Sequence, residues 1–500
     1  MTESGSITLR AACEGLPAKF LGPSHVRLTS ATVNSHAVEI GGLFGCLTGA
    51  TVDGHDFIGQ AIDNGAVALL VEKSITEFDV SKVAVALVED TRRAIGPISS
   101  RIYGEPSRSL SCFGVTGTNG KTTTVHMLAS IARAGDEKVG TVGTLGANFS
   151  LKRQNREQLS LSGLTTPEAP ELQDQLAQMR QAGITTVAME VSSHALSQFR
   201  VDGTQFKMVC FTNLGHDHLD FHGDMDSYLL AKTRLFTPVF SDRAAINIDD
   251  SSGVHVANAA EANGLSVTTF GLSPEADIAA TAIEYSISGT NFVITDRRTD
   301  ESVEVSTNFL GEINVLNALA AAALAQGGGH SLAISSTGLA NATVVSGRLE
   351  RIENTEPFTV LLDYAHTPDA LAAALRAART IAFESRVLLV FGCGGNRDFE
   401  KRPAMGLVAV AGAEVVVITS DNPRSEDPIE IANQITAKID KSSVSVELDR
   451  RAAIRQALTA ARPGDVVVIA GKGHETSQIF RTETVTHDDR VVIQEELARL

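Results

Sequence analysis

GVTGTNGKTTT, residues 114–124, stands between an apolar run, LSCFGV, and a helix-like stretch from Thr122 to Ala134. A glycine-rich turn from strand to helix is where a phosphate can be held, because backbone N–H groups and the helix N-terminus face the anion. Lys121 is placed to reach the terminal phosphates, and Thr122 or Thr123 to ligate Mg²⁺. Gly117, Thr118, Asn119 and Gly120 complete the candidate loop. The spacing departs from the standard phosphate loop, which has a glycine five positions before the glycine of its Gly-Lys pair. Here that position is Val115, and the nearby glycines are Gly114 and Gly117. On these residues alone the stretch is either a nucleotide loop with its own spacing or a glycine-rich turn with an incidental lysine.

The 500 residues suggest about three domains, at roughly 100–200 residues each. A net charge of −17 argues against nucleic acid or an anionic membrane as the main partner, so an anionic substrate needs local Arg, Lys, metal or helix N-termini. Cys13, Cys46, Cys112, Cys210 and Cys393 are scattered singly, which suggests core thiols in a reducing compartment rather than zinc or disulfides. The opening MTESGSITLRAACEG has no signal-peptide apolar run, and no stretch of 18 apolar residues occurs, so a cytoplasmic protein is expected.

Short apolar runs (AVALLVE, VAVALVE) occupy residues 1–107, which end near the linker-like YGEPSRS. Residues 108–342 carry the glycine-rich loop, the buried-strand candidates ITTVAMEV and KMVCFTNL, and a helical Asn314–Ala325. Residues 343–500 alternate FTVLLDY, RVLLVFG, AEVVVITS and DVVVIAG with helix-like Pro368–Arg379 and Pro428–Lys438. This alternation predicts an α/β chain with parallel sheets covered by helices, and ligands at the C-terminal ends of the strands. The central domain is expected to be of P-loop type and the last Rossmann-like, with a smaller α/β domain before them.

Several motifs carry further chemistry. AMEVSSHALSQFRVDG ends a strand in Glu190, a carboxylate placed beside the glycine-rich loop as a Mg²⁺ ligand would need, the alternative being a helix-capping or surface glutamate. NLGHDHLDFHG crowds His216, Asp217, His218, Asp220 and His222 together, at a spacing that suits no zinc signature well. Lys232, in the helical YLLAKTRLF, reads by itself as a solvated lysine. Asp363 and His366 stand just past a strand in LLDYAHTPDAL. GCGGNRDFEKRP, SDNPRSEDP and AGKGHETSQ each follow a strand and should share one sheet edge. They offer Arg397, Asp421, Asn422, Pro423, Arg424, Gly471 and Glu475. Two arginines and a glutamate suit an amino acid, because Arg grips a carboxylate bidentately while Glu475 can face an ammonium.

GVTGTNGKTTT resembles the ATP loop of the Mur ligase family, which builds the peptide of bacterial cell-wall precursors and has its own glycine spacing. The motifs above occur in the family's order over nearly the whole chain. The resemblance implies an ATP-dependent amide ligase that works through an acyl phosphate. AMEVSSHALSQFRVDG and LTTPEAPEL are similar to the family's third-step enzymes, which extend a UDP-linked dipeptide. There Thr165, Thr166, Ser192, Gln198 and Arg200 match substrate-contacting positions. Asn247, Asn314, Asn317 and Arg348 match nucleotide-side positions. His218 matches a Mg²⁺-associated histidine, and Lys232 matches a lysine that CO₂ carbamylates into an anionic ligand.

Arg424 in DNPR matches the mark of enzymes adding meso-diaminopimelate, which has a second carboxylate that lysine lacks. The implied substrates are UDP-N-acetylmuramoyl-L-Ala-D-Glu, meso-diaminopimelate and ATP with Mg²⁺, acted on by a monomer. GGLFGCLTGATVDGHDFI fits the family's uridine-binding domain, with Val33 and Ser35 as contacts. Asn34 and His36 stand where relatives usually carry Asp and Arg, and Gly215-His216 also departs from the usual residues. A lysine-adding ligase, a folylpolyglutamate synthase and a non-catalytic nucleotide-sugar-binding paralogue are the competing readings.

Overall fold

The computed structural model describes residues 7–23, 25–49, 52–75, 81–149, 158–159 and 163–500. Positions 50 and 51, within the stretch assigned to uridine binding, lie outside them. The architecture is α/β, built on three principal sheets.

The first sheet runs in the order Lys19–Leu21, Ala84–Leu87, Ala68–Val71, Gly42–Gly45, Ser30–Thr32. All its pairings are parallel except that of Lys19–Leu21. The expected runs AVALLVE and VAVALVE are two of its three interior strands, buried on both faces as parallel strands require.

The second sheet carries the opening loop. Ser111–Thr116 lies between Thr186–Glu190 and Met208–Phe211, all parallel. The register sets Glu190 beside Val115, so the carboxylate emerges next to the turn that begins at Gly117. Two apolar layers enclose this sheet. On one side Phe113, Val115 and Cys210 pack on the helices Lys121–Ala134 and Glu312–Gly328. On the other, Cys112, Val187 and Val209 pack with Leu172 and Leu176 of Ala169–Gln181.

The sheet is less uniform than the sequence suggests. Antiparallel strands extend it at both ends: Gly146–Phe149 on one side, and the meander Ile278–Ser286, Gly289–Asp296, Glu301–Thr307 on the other. Glu301–Thr307 is ESVEVST, with little apolar content and only its last residues buried in alternation, so it lacks the continuous hydrophobic run that marks a parallel strand.

The third sheet orders Glu350–Ile352, Thr359–Asp363, Val466–Ala470, Val387–Phe391, Val415–Ile418, Ser445–Val446. Its register aligns Asp363 with Ala470, Val390 with Ile469, and Phe391 with Ile418. The loops that follow these strands therefore leave one edge together, as expected for the three late motifs. Helices Pro368–Ala382 and Lys401–Gly412 cover one face, and Arg450–Ala460 with Asp489–Leu497 the other. All five cysteines are buried and unpaired. Among the described residues no helix is long and apolar enough to cross a membrane.

Candidate active site

The glycine-rich loop is held by backbone geometry that side chains resist. Gly117 has φ +152° and Gly120 has φ +87°. A Cβ on Gly120 would sit 2.3 Å from Asn317 Oδ1. Asn213 grips the loop from the next strand: its carbonyl accepts from Thr118 N (2.9 Å) and its Oδ1 from Asn119 N (2.8 Å). Lys121 opens the helix and donates to Gly117 O and Thr118 O, both at 2.9 Å. Gly120→Ala is expected to raise the KM for ATP about tenfold or more, since a left-handed conformation costs a non-glycine residue about 1–2 kcal/mol even before the clash. Steady-state kinetics with ATP as the varied substrate checks this.

Glu190, 1% exposed, is the anionic centre beside the loop. Its Oε2 accepts from Thr122 Oγ1 (3.0 Å) and Thr144 Oγ1 (3.2 Å), and its Oε1 from Thr144 N (2.8 Å). A carboxylate flanked by two hydroxyls is a hard-oxygen donor set, the kind Mg²⁺ takes. His218 follows Asp217 at φ +56°, and burial pushes its imidazole down to about 3. It is neutral at physiological pH, with a lone pair to offer.

Lys232 corrects the bottom-up reading of a solvated lysine. It is 1% exposed, its Nζ stands 4.4 Å over the Tyr228 ring, and it forms no ion pair among the described residues. Burial first, and the charge of Lys121 second, hold its amine well below the ordinary lysine range. Of the histidine cluster, His222 Nε2 meets Ser193 Oγ at 3.0 Å and its ring stacks on Tyr228. These are packing roles.

A cavity of about 480 Å³ lies over this floor, with Thr118, Lys121, Glu190 and His218 on one wall and Arg348, Asp363, Tyr364 and His366 on the other. Thr123, Asn247, Asn314 and Asn317 also line it. Several contacts close the walls on each other. Arg348 donates to Thr122 Oγ1 (3.3 Å), Lys401 to Asp217 Oδ1 (3.1 Å), and His366 Nε2 lies 3.6 Å from Asp217 Oδ2. His216, to which the sequence assigned nothing, donates its backbone N–H across the same gap to Asp369 Oδ2 (3.3 Å). Asp363 spends its carboxylate on backbone, accepting from Leu349 N (2.6 Å) and Ala365 N (2.7 Å). It therefore holds the chain on either side of the wall. Asn314 and Asn317 are likewise engaged, donating to Leu310 O and Asn314 Oδ1.

The three late loops meet beyond this wall. Asn422 Nδ2 and Lys472 Nζ both donate to Glu475 Oε2 (2.7 and 3.0 Å), and Lys472 also donates to Asn422 Oδ1 (3.1 Å). Arg424, at φ +54°, donates to Gly395 O (2.8 Å) from a half-buried position. Burial, then the charge of nearby Arg397, lowers the pKa of its guanidinium. Pro423 and Asp421 are buried, and a Cβ on Gly471 would come 2.7 Å from Asp421 Oδ2. Arg397 itself is exposed. Lys472 has no exposure at all, and nothing in the AGKGHE pattern marked it as a buried cation.

On the far side of Glu190, Thr166 Oγ1 donates to Glu190 O (2.9 Å) and accepts from Ser192 N (3.1 Å). Ser192 in turn caps the helix Ser193–Ser197. Arg200 ties this corner together through Glu168 (3.0 Å), Gln198 (2.5 Å) and Thr166 O (3.3 Å). Thr165 lines the main cavity. The first-domain residues stand apart from that cavity: Ser35 Oγ donates to Gln60 Oε1 (2.7 Å), and Val33 packs at the edge of the first domain's core. Asn34 Oδ1 accepts from His36 N (3.0 Å), a turn-forming role.

Comparison with known proteins agrees with this geometry. Residues 115–325 match the Mur ligase middle domain, residues 347–473 the Mur ligase, glutamate ligase domain, and residues 27–103 the Mur ligase family, catalytic domain. The chain is 40% identical over 481 residues to a UDP-N-acetylmuramoyl-L-alanyl-D-glutamate–2,6-diaminopimelate ligase of Halalkalibacterium halodurans, covering 95% of this chain and 96% of that one. It is 42% identical over 470 residues to the ligase of that name from Geobacillus thermodenitrificans, covering 92% and 93%. A solved structure of a ligase with that name superposes with a TM-score of 0.69 at 30% identity, over 99% of each chain. With the phosphate loop, the buried carboxylate beside it and the facing loops in place, the chain belongs to the Mur ligase family.

Proposed function

We propose that the chain is an ATP-dependent ligase that joins meso-diaminopimelate to the D-Glu of UDP-N-acetylmuramoyl-L-Ala-D-Glu. The reading rests above all on one juxtaposition. The loop around Lys121 lines the cleft, and the Asn422–Arg424–Glu475 cluster lies behind the opposite wall, linked to the loop through Tyr364 and Arg348.

The γ-carboxylate of D-Glu attacks the terminal phosphorus of ATP, and ADP leaves. The free amine of diaminopimelate then attacks the acyl phosphate, and phosphate departs as the amide forms. Lys121 lies where it can offset charge on the transferring phosphoryl group, the main electrostatic aid to such transfer. Mg²⁺, when bound, would neutralise the phosphates; Thr122, Glu190, His218 and a carbamylated Lys232 would hold it. The contacts of Arg348, Lys401 and His366 across the cleft bring the walls together, excluding water that would hydrolyse the acyl phosphate.

Residues 1–107 would bind the uridine end, 108–342 ATP, and 343–500 the amino acid. We place the enzyme in the cytoplasm as a monomer.

A panel of amino acids in a phosphate-release assay tests the reading. Diaminopimelate should turn over fastest, and faster turnover with lysine would refute it. Arg424→Ala should raise the KM for diaminopimelate by about 10–100-fold, the loss of a charge-assisted hydrogen bond of about 1.5–3 kcal/mol. The KM for ATP should hardly move.

A further inference from the structure

Tyr364 stands on one wall of the cleft and reaches the late-loop cluster behind it. It follows the strand Thr359–Asp363, and its backbone N–H donates to Gly347 O (2.8 Å), which anchors it beside Arg348. The Arg348 guanidinium lies 4.7 Å over its ring, within cation–π range. Arg348 reaches the ATP loop at Thr122 Oγ1 (3.3 Å), and Thr122 reaches Glu190. At the other end the Tyr364 hydroxyl donates to Glu475 Oε1 (3.4 Å). Burial, then the charge of Glu475, raises the phenol's pKa, so it stays a donor.

The two oxygens of Glu475 are used differently. Oε2 is taken by Asn422 and Lys472, whereas Tyr364 is the hydrogen-bond donor that reaches Oε1. An ammonium that comes to Glu475 therefore comes to Oε1, and so to the oxygen that Tyr364 orients. The His474 ring, 5.1 Å from that of Tyr364, and the close approach of Gly473, whose Cβ would be 2.7 Å from Tyr364 Cβ, leave the ring little room to turn away.

Taking the proposed substrates as given, we infer that Tyr364 is a positioning residue that couples the nucleotide and amino-acid sites. A phosphate drawn to the loop shifts Arg348, Arg348 carries the Tyr364 ring, and the ring's hydroxyl sets Glu475 Oε1 for the amine. Such coupling is reciprocal: whatever factor nucleotide adds to amino-acid affinity, the amino acid adds to nucleotide affinity.

The test is calorimetry on the full chain with Mg²⁺ and saturating UDP-N-acetylmuramoyl-L-Ala-D-Glu. Diaminopimelate is titrated with and without a non-hydrolysable ATP analogue, and the analogue with and without diaminopimelate. Wild type should show a coupling of about tenfold in both directions, within the usual range for linked sites. Tyr364→Phe keeps the ring on Arg348 and removes the hydroxyl; it should bring both factors below about twofold, with the affinity for the analogue alone unchanged. Tyr364→Leu, which also removes the stack, should lose the coupling and weaken the analogue itself. A merely structural tyrosine would alter the separate affinities and leave the ratio intact. Equal coupling in wild type and Tyr364→Phe, or no coupling in wild type, would overturn the proposal while leaving the functional reading standing. Failure of wild type to bind diaminopimelate either with or without the analogue would overturn both.

Discussion

Lys121→Met is expected to lower kcat for phosphate release about a thousandfold, at the upper end of what one preorganised charge donor contributes. Methionine keeps most of the stem's length and removes the charge. The Lys121 ammonium now spans Gly117 O and Thr118 O, inside the loop that would surround the phosphates. Its pKa is lowered, chiefly by burial, so removing the charge also removes a desolvation burden, and the fold should not suffer. Thermal melting should therefore be little changed, and binding of the nucleotide-sugar substrate should persist. A kcat within tenfold of wild type would show that the loop does not serve the transferring phosphoryl group.

Lys232→Ala should cost at least about a hundredfold in kcat, since a metal-held charge is worth several kcal/mol to such a transition state. An ordinary surface lysine would tolerate the change. This one is buried on the helix Met225–Thr233, against Tyr228 and near Lys121, and its amine is held well below its usual range. Such an amine is an uncharged nucleophile over more of the neutral range, able to add CO₂ and release a proton. The resulting carbamate would supply anionic oxygen near Lys121, where a lysine would supply only a second cation. Acetate can place a carboxylate in the space that alanine leaves, so it should restore part of the lost activity; bicarbonate should not. Full activity in Lys232→Ala, or no response to acetate at any concentration, would rule out an anionic ligand at this position.

Much of the site is legible in the chain itself. The strand–loop–helix around Gly114–Thr124 is local, because an apolar run, positive-φ glycines and a helical pattern are all set by near neighbours. The parallel strands of the third sheet are legible for the same reason: VLLVF and VVVIA are continuous apolar runs, buried on both faces. The meander at residues 278–307 was not, since its alternating, polar-rich strands find their pattern only when packed. Lys472, Lys401 and Asn213 are not legible in the chain, because each partner is remote in sequence or the motif around the residue is bland. Lys401 meets a carboxylate 184 positions away, and Asn213 reaches back 94 positions to the loop.

By itself, then, the sequence determined the elements and the types of charge available: a glycine-rich strand-to-helix loop with unusual spacing, a strand ending in Glu190, and three loops carrying arginines and a glutamate. Those follow from hydrophobic period and residue chemistry, which are properties of short segments. The tertiary structure decided which of those charges are dry and whom they face. Lys232 became a buried amine, Asp363 a backbone clamp, and Glu475 a carboxylate with one oxygen committed and the other shared with Tyr364. Burial and long-range pairing set these roles, because the energy of a charge depends on the water removed from it and the partner brought to it.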